Sequence, residues 1–390
     1  MHQLPGQLLC TSSEMWNRIG IIGGGPAGLY CAKILAESGK DVTLFDHKIP
    51  FEKPCGGGIT QKTFRDFKDL EFLKSKSKQI ESFGFSVSTS GKVASVNNPK
   101  LLSIISRKTL GTFLLESCIS FGVKHISEKV ISISDSQVIT ESEKYSFDFI
   151  IGADGANGIS RRILSDLKYD RWGGLGFYID GLNVSQADIF FDIERTGYLW
   201  VFPRQDHASV GFIALKGNIS KQDAQNVVQT YLDKHYSGFK VDQDKYYSAT
   251  IPLTRMFETD LLFGKNWALI GDCAGLVDPI TGEGIYYAFA SGRYLAEAII
   301  KSDITDYGNK LNSEIIPELQ KSADIFFRFY KSWVLTNMVR LGHYSPTISD
   351  VLVKLIAGEQ SYRTLKKNLI RKIPKVVKET VTRMFERNSI

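Results

Sequence analysis

The chain is poor in cysteine, histidine and proline, with five, six and eleven respectively in 390 residues. Its cysteines, Cys10, Cys31, Cys55, Cys118 and Cys273, are odd in number and widely scattered. That excludes a disulfide-stapled scaffold, leaves no paired spacing for a metal, and points to a reducing compartment. Uncharged apolar runs are short, none approaching the ~18 residues of a membrane span. The first 18 residues carry neither a basic n-region nor a long apolar h-region. The expected location is therefore cytoplasmic, free or held peripherally on the inner face of a membrane. No internal repeat or low-complexity tract is visible.

What is present is a composition of 43% hydrophobic, 23% charged and 12% aromatic residues, including 24 Phe and 16 Tyr. That is a folded globular protein, with aromatic content suited to large apolar cavities as well as ordinary cores. Domains of about 100–200 residues are typical, so one large or two intermingled domains are expected. The net charge of +6 is unevenly placed. Residues 361–390 hold nine Lys/Arg against Glu379 and Glu386, so this segment carries +7 and the rest of the chain −1. The basicity points to an anionic surface near that end and not to a nucleic-acid-binding protein.

Arg18 to Asp46 reads as strand, glycine turn, helix, strand. The apolar runs Ile19–Ile22 and Val42–Phe45 have the continuous character of buried parallel strands, and Leu29, Ala32, Ile34 and Leu35 give the helix between them one apolar face. Gly23, Gly25 and Gly28 form GxGxxG directly after the first strand, with Pro26 and Ala27 opening the helix. Acidic Asp46 ends the second strand, followed by His47. Glycines permit the tight turn and close approach of a pyrophosphate, helix N–H groups hold its charge, and a carboxylate such as Asp46 accepts ribose hydroxyls. Two further strands, in FIIGADGANGISR (149–161) and LIGDCAGLVDPITGEG (269–284), end in glycine-broken loops. Three strand ends converging on one cofactor exceed the needs of NAD and suit the longer FAD.

Between about 170 and 260 the pattern changes to alternating strands broken by one amphipathic helix near 220–235. The fold class read from this is α/β: a Rossmann-like FAD-binding domain with an inserted, mostly antiparallel β-sheet substrate domain and a helical C-terminal region. The expected boundaries are 18–165 with 262–304 for the first, 166–261 for the second and 305–390 for the third, part of 60–105 serving the substrate side.

Read in order, GxGxxG, GADG and the GD…P…G.G.I segment resemble the FAD-dependent oxidoreductases of the para-hydroxybenzoate hydroxylase structural group. Within that group, Pro54-Cys55-Gly56-Gly57-Gly58, the Tyr198–Pro203 run YLWVFP and GDCAGLVDPITGEGIYYA from Gly271 resemble the geranylgeranyl reductase family, whose members saturate isoprenoid double bonds. The similarity covers about residues 18–345. It implies that Asp272 and Arg107 reach the ribityl or pyrophosphate chain of FAD, and that Pro279, Gly282, Glu283, Gly284 and Ile285 sit beside the flavin ring. There, N–H groups opening a helix near 284–300 would stabilise charge on reduced flavin. Gly57 and Gly58 join the cofactor list, and Cys55, Gly57, Tyr198 and Trp200 the catalytic one; no metal is expected. The resemblance leaves the electron donor as NAD(P)H or a reduced ferredoxin, the latter being a protein partner.

Several bland readings stand beside these. Cys55 is either a thiol near the flavin or an inert small residue in a tight loop. Asp154-Gly155 either supports the pyrophosphate or is a packing turn. Tyr198, Trp200 and Phe202 alternate along a strand and share one face, as the wall of a prenyl tunnel or as core. The cluster Phe326, Phe327, Phe329, Tyr330 and Trp333 reads as one helical stripe. Leu365, Leu369, Ile373, Val377, Val381 and Phe385 recur every fourth residue among basic ones, and Pro374 suggests two short amphipathic helices there. Their apolar face suits an anionic membrane or the protein's own body, and the two can coexist. The function implied is reduction of C=C bonds in a prenyl chain on a lipid, quinone or diphosphate. The alternatives are a flavin monooxygenase or halogenase of the same fold, and a non-catalytic isoprenoid-binding flavoprotein. Many hydroxylases of the group resemble GDAAH where this chain has GDCAG.

Overall fold

The computed structural model describes residues 16–89, 94–97, 101–134, 136–215, 220–242 and 246–387; Cys10 lies outside them. The strand Arg18–Ile22 is the middle of a five-stranded parallel sheet in the order Trp267–Leu269, Phe149–Gly152, Arg18–Ile22, Asp41–Phe45, Lys124–Ile126. Ile19 and Ile21 are fully buried, as expected of a strand covered on both faces. Helix Pro26–Glu37 packs on one face against Ile285–Ile300 and Arg107–Ser120. The chain leaves Arg18–Ile22 towards Asp41–Phe45 and later returns on its other side as Phe149–Gly152. The order reverses there, and such a reversal opens a crevice at the carboxyl ends of the strands.

A seven-stranded sheet stands against this unit, in the order Tyr246–Leu253, Asp170–Asp180, His207–Leu215, Gly197–Pro203, Gln186–Asp192, Ser82–Val87, Ala94–Asn97. Its pairings are antiparallel except for Gln186–Asp192 with Ser82–Val87. Alternation along Gly197–Pro203 divides its residues between two environments. Leu199 and Val201 pack under helix Lys221–His235 with Phe212, Val228 and Leu232. Tyr198, Trp200 and Phe202 turn the other way, towards Ile189, Ile213, Ile280 and the C-terminal helices. A short sheet of Gly58–Thr60, Leu102–Ile104 and Lys78–Gln79 bridges the two large ones.

The C-terminal region departs from the sequence reading in two respects. Phe326, Phe329 and Tyr330 are core, but Phe327 is half exposed and Trp333 is exposed and belongs to the next helix, Ser332–Tyr344. Tyr362–Arg387 is one helix that runs through Pro374, not two. Pro374 faces solvent, where water can replace the hydrogen bond that its missing N–H leaves unmade, so the helix tolerates it. Glu318 holds the start of this helix by accepting from Ser361 Oγ at 2.8 Å and from Tyr362 N–H, and Glu379 ties its far half to Thr347 Oγ1 at 2.8 Å and to Ser345 Oγ. Among the described residues no helix is long and apolar enough to cross a membrane, and no group of side chains forms a metal cluster.

Gly28 is where the fold allows no side chain: a Cβ would stand 2.0 Å from Gly23 O and 3.1 Å from Ala153 Cβ. Gly28→Ala should therefore lower the unfolding free energy by about 1–3 kcal/mol through overpacking, measured by denaturant titration. A variant of parental stability would contradict this packing.

Candidate active site

The glycine turn after Arg18–Ile22 is held from behind. Gly23 N–H donates to Phe45 O at 2.9 Å, and Gly24 N–H donates to Asp46 Oδ2 at 2.7 Å. Gly23 takes φ +108° with its α-carbon against Ala153 O, whereas a Cβ at Gly25 would meet nothing within 4 Å. The turn is thus packed on its inner side and open on the outer. Gly25 caps helix Pro26–Glu37 without any side-chain partner, and Pro26 occupies its first turn. The exposed N–H groups there form an anion cradle.

A cavity of about 530 Å³ begins at this cradle and ends on the large sheet. At one end it is lined by Gly25, Pro26, Ala27, Lys53, Arg107 and residues 153–157. In its middle stand Cys55, Gly57, Gly58, Asp272 and the turn Thr281–Ile285. At the far end the wall is Tyr198, Trp200, Phe202, Ile189, Ile213, Ile251 and Ile356. Of the residues singled out in the sequence, Gly23, Gly28 and Pro279 support this lining from behind. Asp46 braces the turn, its Oδ2 accepting from Gly24 N–H and its Oδ1 from Lys48 N–H, with acceptor capacity left on both oxygens, and His47 is exposed and not part of the lining. Asp154 also serves packing, since its carboxylate accepts from Ser160 N–H at 3.0 Å and from Cys273 Sγ at 3.2 Å.

The loop carrying Cys55 is pinned by residues that sequence reasoning missed. Glu52 accepts from Arg107 N–H at 2.8 Å, Lys108 N–H at 3.2 Å and the Ser106 hydroxyl, capping helix Arg107–Ser120. Its Oε1 also lies 3.0 Å from Arg204 Nη1, and the Arg204 side chain is 3% exposed. Burial alone would raise the Glu52 carboxyl; Arg204, the Ser106 hydroxyl and the two backbone N–H groups outweigh it and hold it below its usual value. Arg204 Nη2 and Ser209 Oγ both donate to Cys55 O at 3.2 Å. Trp200 Nε1 donates to Ser209 Oγ at 3.1 Å, and Tyr247 OH shares a 2.7 Å hydrogen bond with it. Gly57, at φ +83° with no room for a Cβ beside Ile105 O, turns its N–H to Cys55 Sγ at 3.3 Å. One signal was available: Arg204 directly follows the buried aromatic strand, a costly place for an unpaired charge.

Across the cavity the turn Asp278–Gly284 is fixed by its own buried acid. Asp278 Oδ1 accepts from Ile280 N–H at 2.8 Å and Ser322 Oγ at 2.7 Å. Tyr198 OH donates to Thr281 O at 2.6 Å and Tyr330 OH to Ile280 O at 3.0 Å. Tyr198 therefore has its proton committed to the turn, and burial pushes its pKa up. Glu283 reaches back to accept from Tyr286 N–H at 2.8 Å, at the opening of helix Ile285–Ile300. Burial pushes its carboxyl up to about 7, against the pull of that N–H and of Lys62. Lys53 Nζ reaches Asp272 Oδ2 at 3.2 Å across the mouth.

The donor set fits a flavin dinucleotide. The open outer side of Gly25 admits a pyrophosphate, and Arg107 is 7% exposed with Nε lacking a hydrogen-bond partner while it lines the same end. Parallel sheet, glycine cradle and second sheet together define the class of FAD-dependent oxidoreductases. A family model described as "FAD binding domain" matches residues 17–302. A geranylgeranyl diphosphate reductase of Rhodobacter capsulatus is 30% identical over 71% of this chain and 73% of its own. An uncharacterized protein of Methanosarcina barkeri is 32% identical over 73% of this chain and 76% of its own. The chain belongs to the geranylgeranyl reductase family of FAD-dependent oxidoreductases, with FAD as its cofactor.

Among solved structures, a geranylgeranyl bacteriochlorophyll reductase-like protein of Thermoplasma acidophilum superposes with TM-score 0.76 at 18% identity, covering 91% of this chain and 98% of that one. The flavin-dependent brominase Bmp2 follows at 0.70 and 17%, covering 92% and 99%. At such identities both speak for the fold alone.

Two measurements test this site. Breaking a buried ion pair leaves an uncompensated charge, so Arg204→Met should cost about 3–5 kcal/mol. Arg204→Met with Glu52→Gln should cost clearly less than the sum of the singles by denaturant unfolding; strict additivity would mean the pair is uncoupled. For Glu283 the folded pKa lies above the unfolded one, so the folded state holds the proton more tightly. The stability it contributes is full below the unfolded value near 4.5 and lost as pH rises through about 7. Glu283→Gln should thus match the parent near the acid end and exceed it in Tm above neutrality; parallel Tm–pH curves would refute this.

Proposed function

We propose that this flavoprotein saturates C=C bonds in the prenyl chain of a lipid, quinone or diphosphate. The carrying observation is the continuity of the cavity from the dinucleotide cradle, past Cys55 and the 281–285 turn, to a wall of Tyr198, Trp200, Phe202 and four isoleucines. An apolar wall of that kind suits a branched hydrocarbon and offers little to a small polar aromatic. The name of the Rhodobacter relative supports the same substrate class.

Reduced FAD supplies a hydride equivalent in such chemistry, the electrons coming from NAD(P)H or a reduced ferredoxin. An isolated alkene has no carbonyl to hold developing charge, so the chain's own groups must align it and exclude water. Trp200 and Phe202 form the rigid side of that slot. Cys55 and Glu283 both line the cavity beside the 281–285 turn, whereas Tyr198 has its proton committed to Thr281 O, and these two are the proposed source of the proton for the second alkene carbon. Gly57 N–H and Arg204 keep Cys55 in place. A peripheral position on the inner membrane face belongs to the same reading, since such substrates reside in bilayers.

The test is anaerobic. Dithionite-reduced protein mixed with geranylgeranyl diphosphate or a prenylquinone should reoxidise its flavin while the lipid gains two mass units per event. Flavin that stays reduced until oxygen enters, with every double bond intact, would sink the reductase reading and favour oxygen chemistry.

A further inference from the structure

The helix Tyr362–Arg387 presents two unlike sides. Its inner side is bound to the body through Leu365, through Lys372 at 3.9 Å from Asp350, and through Glu379. On the outer side Ile370, Ile373, Val377, Val381 and Met384 are 57%, 54%, 56%, 47% and 47% exposed. Their spacing of three and four residues keeps all five on one stripe of a helix with 3.6 residues per turn. Lys367, Arg371 and Lys378 are exposed along its border. Of the two acidic residues in 361–390, Glu379 is turned inward as a hydrogen-bond acceptor, so the outward charge is almost purely positive.

We propose that this stripe is a docking surface for an anionic lipid bilayer. The aliphatic side chains enter the boundary between headgroups and acyl chains while the basic border meets lipid phosphates, with the helix lying in the plane of the membrane. Charge complementarity selects this occupant. A second copy carries a net charge of +6 and so repels a basic helix at long range, where an anionic bilayer attracts it. The placement also bears on access. Helix Pro346–Ile356 packs against this helix, and its last residue, Ile356, lines the cavity. The turn between them is tied to helix Gln61–Asp66 by Arg65, whose Nη1 lies 2.9 Å from both Glu359 carboxylate oxygens. The docked helix would therefore sit next to the helix whose last residue reaches the apolar end of the cavity. This gives the peripheral position that belongs to the proposed function its contact surface; vesicle flotation tests the docking and anaerobic turnover the reaction, so either can fail alone.

The experiment is flotation of the full-length, FAD-loaded protein with vesicles of mixed phosphatidylglycerol and phosphatidylcholine, or of phosphatidylcholine alone. Expected is flotation with the anionic vesicles only, weakened by salt. Ile373→Asp with Val377→Asp should abolish it, with circular dichroism and flavin absorbance unchanged. Should that variant fail to fold, Lys367→Gln, Arg371→Gln and Lys378→Gln alter only exposed positions and should weaken partition about fivefold per charge removed. Absence of flotation overturns the proposal, as does flotation that both variants retain. Light scattering that finds a lipid-free dimer dissolved by Ile373→Asp with Val377→Asp would assign the stripe to a second copy and equally overturn it.

Discussion

The ion pair between Arg204 and Glu52 is the joint on which the two sheets meet. Glu52 caps helix Arg107–Ser120, and so fixes the point from which Arg107 enters the cavity. Arg204 ends the aromatic strand and, through Cys55 O, holds the PCGGG loop. One charge pair therefore sets three segments against each other: the phosphate end, the loop with the thiol, and the substrate-side wall. Neutral hydrogen bonds could fix any two of these. Three need a group with several donors in fixed directions, which is what a guanidinium provides and an ammonium does not. Tyr178 closes the arrangement, with the guanidinium carbon 5.1 Å from its ring centroid.

The opposite wall is built by a different principle. There the turn Asp278–Gly284 is held by neutral hydroxyls from Tyr198, Tyr330 and Ser322, and its acid, Asp278, has its pKa raised by burial. A flavin site gains from this asymmetry. Fixed charge sits by the cradle, where the FAD pyrophosphate needs it, and largely uncharged hydrogen bonds sit by the aromatic wall. A permanent charge on the aromatic wall would keep water in the slot. Tyr198 serves the turn and the wall at once, which is why its hydroxyl faces Thr281 O while its ring lines the cavity.

Much of the cofactor side was legible in the sequence, because its signals are local. Gly23 and Gly28 each answer to a backbone requirement of the turn itself, Gly25 leaves its outer side open, and the strand-to-turn passages at 149–157 and 267–284 announce themselves by apolar runs that stop at glycine. The aromatic alternation of Tyr198, Trp200 and Phe202 was equally legible as a shared face; which face met a cavity depended on helix Lys221–His235 covering the other. What the sequence hid is whatever depends on distant partners. Glu52 and Arg204 are each ordinary charged residues next to a proline or in a loop, and nothing short-range says that they meet. Asp46 was given a ligand role by its place after the second strand; that its Oδ2 also accepts from Gly24 N–H, holding the glycine turn, was not legible there.

The C-terminal helix shows how a pattern can mislead by being too regular. A strict four-residue repeat advances about 40° per step around an α-helix, so Leu365, Leu369, Ile373, Val377 and Val381 do not share a face. The first two turn inward and half-buried, and the last three emerge into solvent. The winding line therefore joins two separate surfaces, one that binds the helix to the body and one that faces outward. Protein body and external surface are thus compatible readings of one repeat. The geometry assigns one to each end of the line, and it is the substitution of Ile370 and Met384 at spacings of three, not the visible fours, that makes the outer stripe straight.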